Sequence, residues 1–232
     1  MNDVRNRLIA LQNEVADLAT RHGRDSGSIQ ILAVSKTKPA AAVAEAAAAG
    51  QRHFGENQLQ DALRKLDSPL LQELPLTWHF IGSVQSNKTR SITERFDWVH
   101  SIDRLKVAER LSIQRPDDRP PLQVCIQVNV DLEASKSGVA PEALTDLAEK
   151  VSALPRLDLR GLMAIPRPAN TLAEQRKPFA RLRAALNDTN AALGLAMDTL
   201  SMGMSQDLEA AIAEGATWLR VGTAIFGART PA

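Results

Sequence analysis

The chain of 232 residues contains no tyrosine, one cysteine and only 3% aromatic residues. A single cysteine, Cys125, excludes an intrachain disulfide and a cysteine-based zinc cluster. Long apolar runs are also lacking, and no stretch approaches the roughly 20 apolar residues that a membrane helix requires. The first 23 residues carry acids and amides throughout with no uninterrupted apolar stretch, so a secretory signal is not expected and the cytoplasm is the expected compartment. Excess charge of either sign is missing: 28 Lys+Arg against 27 Asp+Glu leave a formal charge of +1, and hence no basic field for gripping nucleic acid. What is present is ordinary for a globular protein, 44% apolar and 24% charged, which excludes general disorder. The length suits one domain over residues 1–232 with a sizeable core.

The order of patterns points to an architecture. Val4, Leu8, Leu11, Val15 and Leu18 recur at steps of 3 and 4, one face of a helix. A β-branched apolar run at 28–36 follows, then Pro39 and an alanine-rich helical segment that stops at Gly50. Further short apolar runs lie at 52–56, 77–82, 98–103, 123–130, 159–165, 199–204 and 218–227. Helical stripes fall between most of them, such as Leu144, Leu147, Val151 and Leu154, or Phe179, Leu182 and Leu186. Eight strands separated by helices imply a parallel sheet, because parallel strands need crossover connections. The size fits a closed (β/α)₈ barrel with an additional N-terminal helix. The competing open doubly wound sheet is disfavoured by the leading helix and by the lack of a Gly-rich dinucleotide fingerprint after any strand.

In such a barrel, chemistry collects where strands end. Lys36 follows Leu32 and Val34 on one face of the first strand, so it is expected to point into the barrel mouth, partly desolvated. Desolvation favours the neutral amine, a competent nucleophile toward an aldehyde. On residues alone, a solvated strand-end lysine remains open. Near the end of the chain, Ser205 is an N-cap type residue at a strand-to-helix junction, and Gly222 sits beside Thr223 after the last strand. Helix N-termini, close-approaching glycines and hydroxyls bind anions, and barrels often hold phosphate after strands 7 and 8. Each signal alone is weak. An inward lysine with a phosphate site suggests an aldehyde carrying phosphate, for which pyridoxal 5′-phosphate is the candidate. The four histidines show no metal-binding spacing, and His53 and His100 read as packing or surface residues. Cys125 reads as an inert buried thiol, and Arg176, Lys177, Arg181 and Arg183 as a solvated helix surface.

The segments VSKTKP (34–39), FGEN (54–57), WHFIG (78–82), QSNK (85–88), SKSG (135–138), RGLMAI (160–165), GMSQDLEAAI (203–212) and RVGTAIFGAR (220–229) resemble the pyridoxal-phosphate homeostasis protein family, from about residue 5 to residue 229. That resemblance implies the N-terminal barrel fold of alanine racemase and a cofactor held as a Schiff base. It makes Lys36 the Schiff-base lysine and Ser205, Gly222 and Thr223 the phosphate-binding positions, with Arg220 facing the pyridine nitrogen. Asn57 and His79 match polar residues of the ring pocket, Met204 is counted with the cofactor-binding set, and Lys38 and Lys136 match accessory lysines. Gln58 departs from the family, where an aromatic often follows FGEN.

Two function classes compete on the same site. A racemase needs a second base, which alanine racemase takes from a tyrosine in a C-terminal β-domain; this sequence has no tyrosine and ends soon after strand 8. An arginine at the pyridine nitrogen also weakens the ring as an electron sink. A class I aldolase using Lys36 lacks an evident acid/base partner and leaves Arg220 unexplained. The expectation is therefore a non-enzymatic, monomeric carrier involved in intracellular cofactor homeostasis and amino-acid/keto-acid balance, with apo-enzymes as possible partners and without nucleic acid, membrane or metal.

Overall fold

Each apolar run of the sequence becomes one strand, and the stripes at helical spacing become the helices between them. In the computed structural model, which describes residues 3–131 and 137–228, the chain opens with α1 (Asp3–Arg21). It continues as β1 (Gln30–Val34), α2 (Ala40–Ala48), β2 (His53–Glu56), α3 (Leu59–Leu66), β3 (Thr77–Phe80) and α4 (Thr89–Arg95). Next come β4 (Trp98–Ile102), α5 (Leu105–Gln114), β5 (Leu122–Gln127), α6 (Leu144–Ser152), β6 (Leu157–Met163) and α7 (Leu172–Leu193). The last elements are β7 (Thr199–Ser201), α8 (Leu208–Ala213), β8 (Trp218–Val221) and α9 (Thr223–Phe226). The eight strands pair in parallel in sequence order, and β8 returns to β1 through Gln30–Trp218 to Ala33–Val221, closing the barrel. The (β/α)₈ expectation holds.

Two interiors result from the alternation of side chains along the strands. One side of the sheet meets the helices in an almost wholly apolar layer that includes Phe54, Phe96, Phe179, Val99 and Leu162, all fully buried. The predicted face of α1 joins that layer: Val4, Leu8, Leu11, Val15 and Leu18 are buried while α1 packs on α2, α8 and α9. Burying each such aliphatic side chain stabilises the fold by about 1.5–3 kcal/mol. The inside of the barrel is different. Trp98, Cys125 and Met163 form a small apolar cluster of their own, surrounded by histidines, Trp218 and Arg220.

The final element departs from expectation. The apolar run 218–227 is strand only as far as Val221, and Thr223–Phe226 is a short helical turn. A Cβ on Gly222 would lie 3.0 Å from the Val34 carbonyl oxygen, so the chain crosses close over β1 there before turning out of the sheet. Among the described residues, no helix is long and apolar enough to cross a membrane.

Candidate functional site

The strand ends of β1, β2 and β8 and the loops after β6 and β7 enclose a cavity of about 440 Å³ at the C-terminal mouth of the barrel. Lys36, Asn57, Met204, Ser205, Arg220, Gly222 and Thr223 all line it, converging from positions up to 187 residues apart. Ile81, Ile165, Pro166 and Pro168 supply apolar walls, and Gln175, Gln206 and Asp207 supply polar groups that the sequence reading did not single out. The volume and the mix of apolar walls with few convergent polar groups suit a small organic ligand.

Lys36 is half-buried, and its ammonium makes no hydrogen bond or ion pair to any described residue. Its backbone is held from both sides. Lys65, 4% exposed, donates to the Ser35 carbonyl at 2.7 Å, to Glu56 Oε1 at 2.7 Å and to Asp61 Oδ2 at 2.8 Å. Ser35 Oγ donates to the same Glu56 oxygen at 2.6 Å, and the Thr37 amide donates to Asp61 Oδ2 at 3.1 Å. Thr37 has φ +63°, a left-handed conformation that a β-branched residue keeps only when its surroundings enforce it. Burial pushes the Glu56 carboxyl up, against the lowering effect of Lys65 and Ser35. Burial also acts to raise Asp61, but hydrogen bonds from Lys65 and the Thr37 amide leave it below its ordinary value. A signal for this clamp existed in the sequence: Lys65 continues the buried stripe Leu59–Ala62 on α3, where an unpaired lysine would be costly.

Across the mouth, the loop after β7 turns at Gly203, φ +90°, where a Cβ would fall 2.5 Å from the Ala211 Cβ. Ser205 is exposed and does not cap α8 as expected. Asp207 occupies the N-cap position, and its carboxylate instead accepts the Met204 amide at 2.6 Å, closing the loop on itself. The loop is too long by two residues for Ser205 to reach the first turn. Its Ser205 and Gln206 amides donate to no described residue. Facing them, Thr223 and Ala224 begin α9, so their amides have no intrahelical acceptor. Hydroxyls, and amides with no acceptor among the described residues, thus come from the segments after β7 and β8, and β8 lies directly beside β1, which leads into Lys36.

Arg220 is buried, donating from Nη1 to Ser201 Oγ at 2.9 Å and from Nη2 to the Ala164 carbonyl at 2.8 Å. Burial lowers its guanidinium to about 10, against the opposing pull of Asp207. Behind it runs a column of histidines. Ser201 Oγ lies 2.7 Å from His100 Nδ1, His100 Nε2 lies 2.9 Å from His79 Nδ1, and His79 Nε2 lies 3.0 Å from His53 Nδ1. His79 therefore does not line the ring pocket as the resemblance implied. It points into the barrel, fully buried and stacked on Trp98, because it sits two strand residues below the mouth. His53, half-buried, ends the column at a second cavity of about 410 Å³ beneath α1. Lys38 is also off the cavity, its ammonium on the carbonyls of Phe226 and Ala228. Lys136 lies outside the described residues. Arg176 and Arg183, expected as solvated surface, pair with the buried carboxylate of Glu214.

A parallel eight-stranded barrel with a lysine just after β1 that pairs with no described residue, and an anion-suited rim after β7 and β8, has the architecture of the alanine racemase N-terminal domain, whose family model matches residues 7–230. Finer comparison narrows the class: the chain belongs to the pyridoxal phosphate homeostasis protein family. It is 60% identical to the protein of that name from Pseudomonas aeruginosa, covering 99% of this chain and 97% of the relative. It is 50% identical to the Escherichia coli K12 protein of that name, covering 99% and 98%. Among solved structures, PipY of Synechococcus elongatus with pyridoxal phosphate bound matches with a TM-score of 0.80 at 41% identity, covering 92% of this chain and 100% of that one. Alanine racemase from Corynebacterium glutamicum, 18% identical with a TM-score of 0.68 over 97% of this chain and 62% of that one, shares the fold.

Proposed function

We propose that the protein holds pyridoxal 5′-phosphate at the barrel mouth as a Schiff base with Lys36 and serves cellular cofactor homeostasis by storing, protecting and releasing it. The observation that carries this reading is a Lys36 ammonium with no partner among the described residues, inside a cavity that Ser205, Gly222 and Thr223 also line. That donor set fits the group: an aldehyde meets the amine, and a phosphate meets Ser205, Gly222 and Thr223. Attachment joins the neutral amine nitrogen to the aldehyde carbon with loss of water, and hydrolysis reverses it. Arg220, which lines the same cavity, would be the donor to the ring nitrogen. A guanidinium cannot readily give up a proton to that nitrogen, so the ring stays a poor electron sink. The name borne by the relatives and the pyridoxal phosphate bound to PipY support the same reading.

The lysine clamp then has a mechanistic sense. Lys65, Glu56 and Asp61 fix the backbone on either side of Lys36, so the amine is presented without help from a neighbouring base. Among the described residues the carboxylate that lines the cavity, Asp207, is engaged by the Met204 amide, and the chain contains no tyrosine of the kind that alanine racemase uses as its second base. The protein is accordingly a carrier, not an enzyme acting on amino acids.

Borohydride reduction of protein incubated with pyridoxal phosphate, followed by peptide mapping, tests the reading. A pyridoxyl group fixed on Lys36 is expected. Label on Lys38 or Lys136 with Lys36 unmodified would overturn it.

A further inference from the structure

The polar column behind Arg220 has a direction, and that direction follows from its ends. Arg220 can only donate, so Ser201 Oγ is the acceptor of its Nη1 bond. Among the described residues Ser201 Oγ bonds only to Arg220 and His100, and it is fully buried. Its hydroxyl proton therefore has one place to go, His100 Nδ1. Were that nitrogen protonated instead, two donors would face one oxygen and the hydroxyl proton would be buried without an acceptor, which is costly. A neutral imidazole carries one N–H, so His100 then donates from Nε2 to His79 Nδ1. His79 in turn donates from Nε2 to His53 Nδ1, which leaves the His53 proton on Nε2.

The neutral state of the column agrees with its surroundings. Burial and the charge of Arg220 push His100 down to about 3. Burial, then His100 and His53, hold His79 well below the ordinary imidazole range, and burial lowers His53 against the pull of Asp97. Four dipoles in series thus turn their acceptor ends toward one guanidinium, and hydrogen bonds in such a chain polarise one another. Arg220 forms no ion pair with any described carboxylate. Asp207 acts on it only without direct contact, and its hydrogen-bond partners Ser201 and the Ala164 carbonyl are neutral, which leaves its charge available to a ligand.

We propose that Ser201 and His100, backed by His79 and His53, are positioning residues that hold Arg220 as a fixed cationic donor into the barrel mouth. The role toward the ring nitrogen rests on the cofactor reading given above. The column itself does not.

Imidazole ¹⁵N NMR of the cofactor-free protein at neutral pH tests the column first. All three histidines are expected as neutral Nε2–H tautomers. An Nδ1–H tautomer or an imidazolium at His100 or His79 would overturn the proposal, and this measurement needs no variant. The second arm compares pyridoxal phosphate with its 1-deaza analogue, in which C–H replaces the ring nitrogen. The unaltered protein should favour the natural cofactor about tenfold or more, corresponding to about 1.4 kcal/mol. Ser201→Ala should erase most of that preference and release the His100 tautomer, while the phosphate still distinguishes either compound from its dephosphorylated form. Undiminished preference in Ser201→Ala sinks the positioning role. Failure of the unaltered protein to bind pyridoxal phosphate at all overturns the cofactor reading instead, and the tautomer result then decides the column by itself.

Discussion

Two interiors share one sheet here and follow opposite rules. Between strands and helices the filling is mostly aliphatic and aromatic, its few buried charges paired as in Lys65–Glu56, and its contribution scales with area removed from water. Inside the strands, two of the three tryptophans and three of the four histidines surround Arg220, Ser201, Cys125 and Met163. A barrel interior is more often filled by layers of branched aliphatics. The outer layer makes the fold stable, whereas the inner one spends burial on holding a single cation in place. At the mouth the rule changes again: Lys36, half-buried, has no partner among the described residues.

Substitutions can separate these roles. The largest effect belongs to the outer layer: Phe179→Ala empties a fully buried site and should lower stability by about 3–5 kcal/mol in urea unfolding, with little change in cofactor affinity once folded. Equal losses of affinity and stability would erase the distinction between the layers. Lys65→Met comes close behind, since removing one partner of a buried ion pair costs about 3–5 kcal/mol. It differs in kind, because the turn carrying Lys36 loosens as well. Adding Glu56→Gln should return part of the stability, and no recovery would show that the clamp is not electrostatic.

Acid should attack the inner layer selectively. His79 and His100 refuse protons in the fold, yet accept them near 6.5 when unfolded. The unfolded chain then binds more protons, so stability is full above about pH 6.5 and falls as pH drops toward 3, by about 1.4 kcal/mol per pH unit for each such histidine. The check is the urea midpoint between pH 7 and 5 in the unaltered protein and in His100→Phe, whose slope should be shallower. An identical slope would remove His100 from the account.

At the mouth the effects are on binding alone. Thr223→Val removes a donor to a charged group and should weaken pyridoxal phosphate binding by about 1.5–3 kcal/mol without altering the urea midpoint. Pyridoxal itself should be indifferent to that change. The smallest expected effect is none: with L-alanine in deuterated water, neither deuterium uptake nor D-alanine should exceed the background of free pyridoxal phosphate. Turnover above that background would restore the racemase reading.

Much of this molecule was legible in its sequence, for identifiable reasons. Strands and helices alternate in type, and each announces itself by a local period, so eight strands and α1 could be read directly. Lys36 lines the mouth as its alternation with Leu32 and Val34 predicts, although β1 itself ends at Val34 and a turn carries the lysine. The end of β8 was misjudged because Ala224, Ile225 and Phe226 remain apolar after the strand has stopped. The histidine column was not legible. Residues 53, 79, 100 and 201 belong to four strands with no motif in common, and only barrel closure brings them into line. His79 could be matched to a family position but not to a direction. Lys65 could have been noticed as a cation on an apolar stripe; its partners, Glu56 and the Ser35 carbonyl, could not.

Cys125 gives the inner layer one further consequence. The chain's single thiol is sealed between Trp98 and Met163, and burial pushes it far up from its ordinary value. A thiolate adds reversibly to an aldehyde to give a thiohemiacetal, and would so compete with the amine for such a ligand. With its sulfur buried, this protein meets an aldehyde through amines alone. The same seal keeps two copies from crosslinking through oxidation, so no reducing agent is needed to keep the chain in one covalent form.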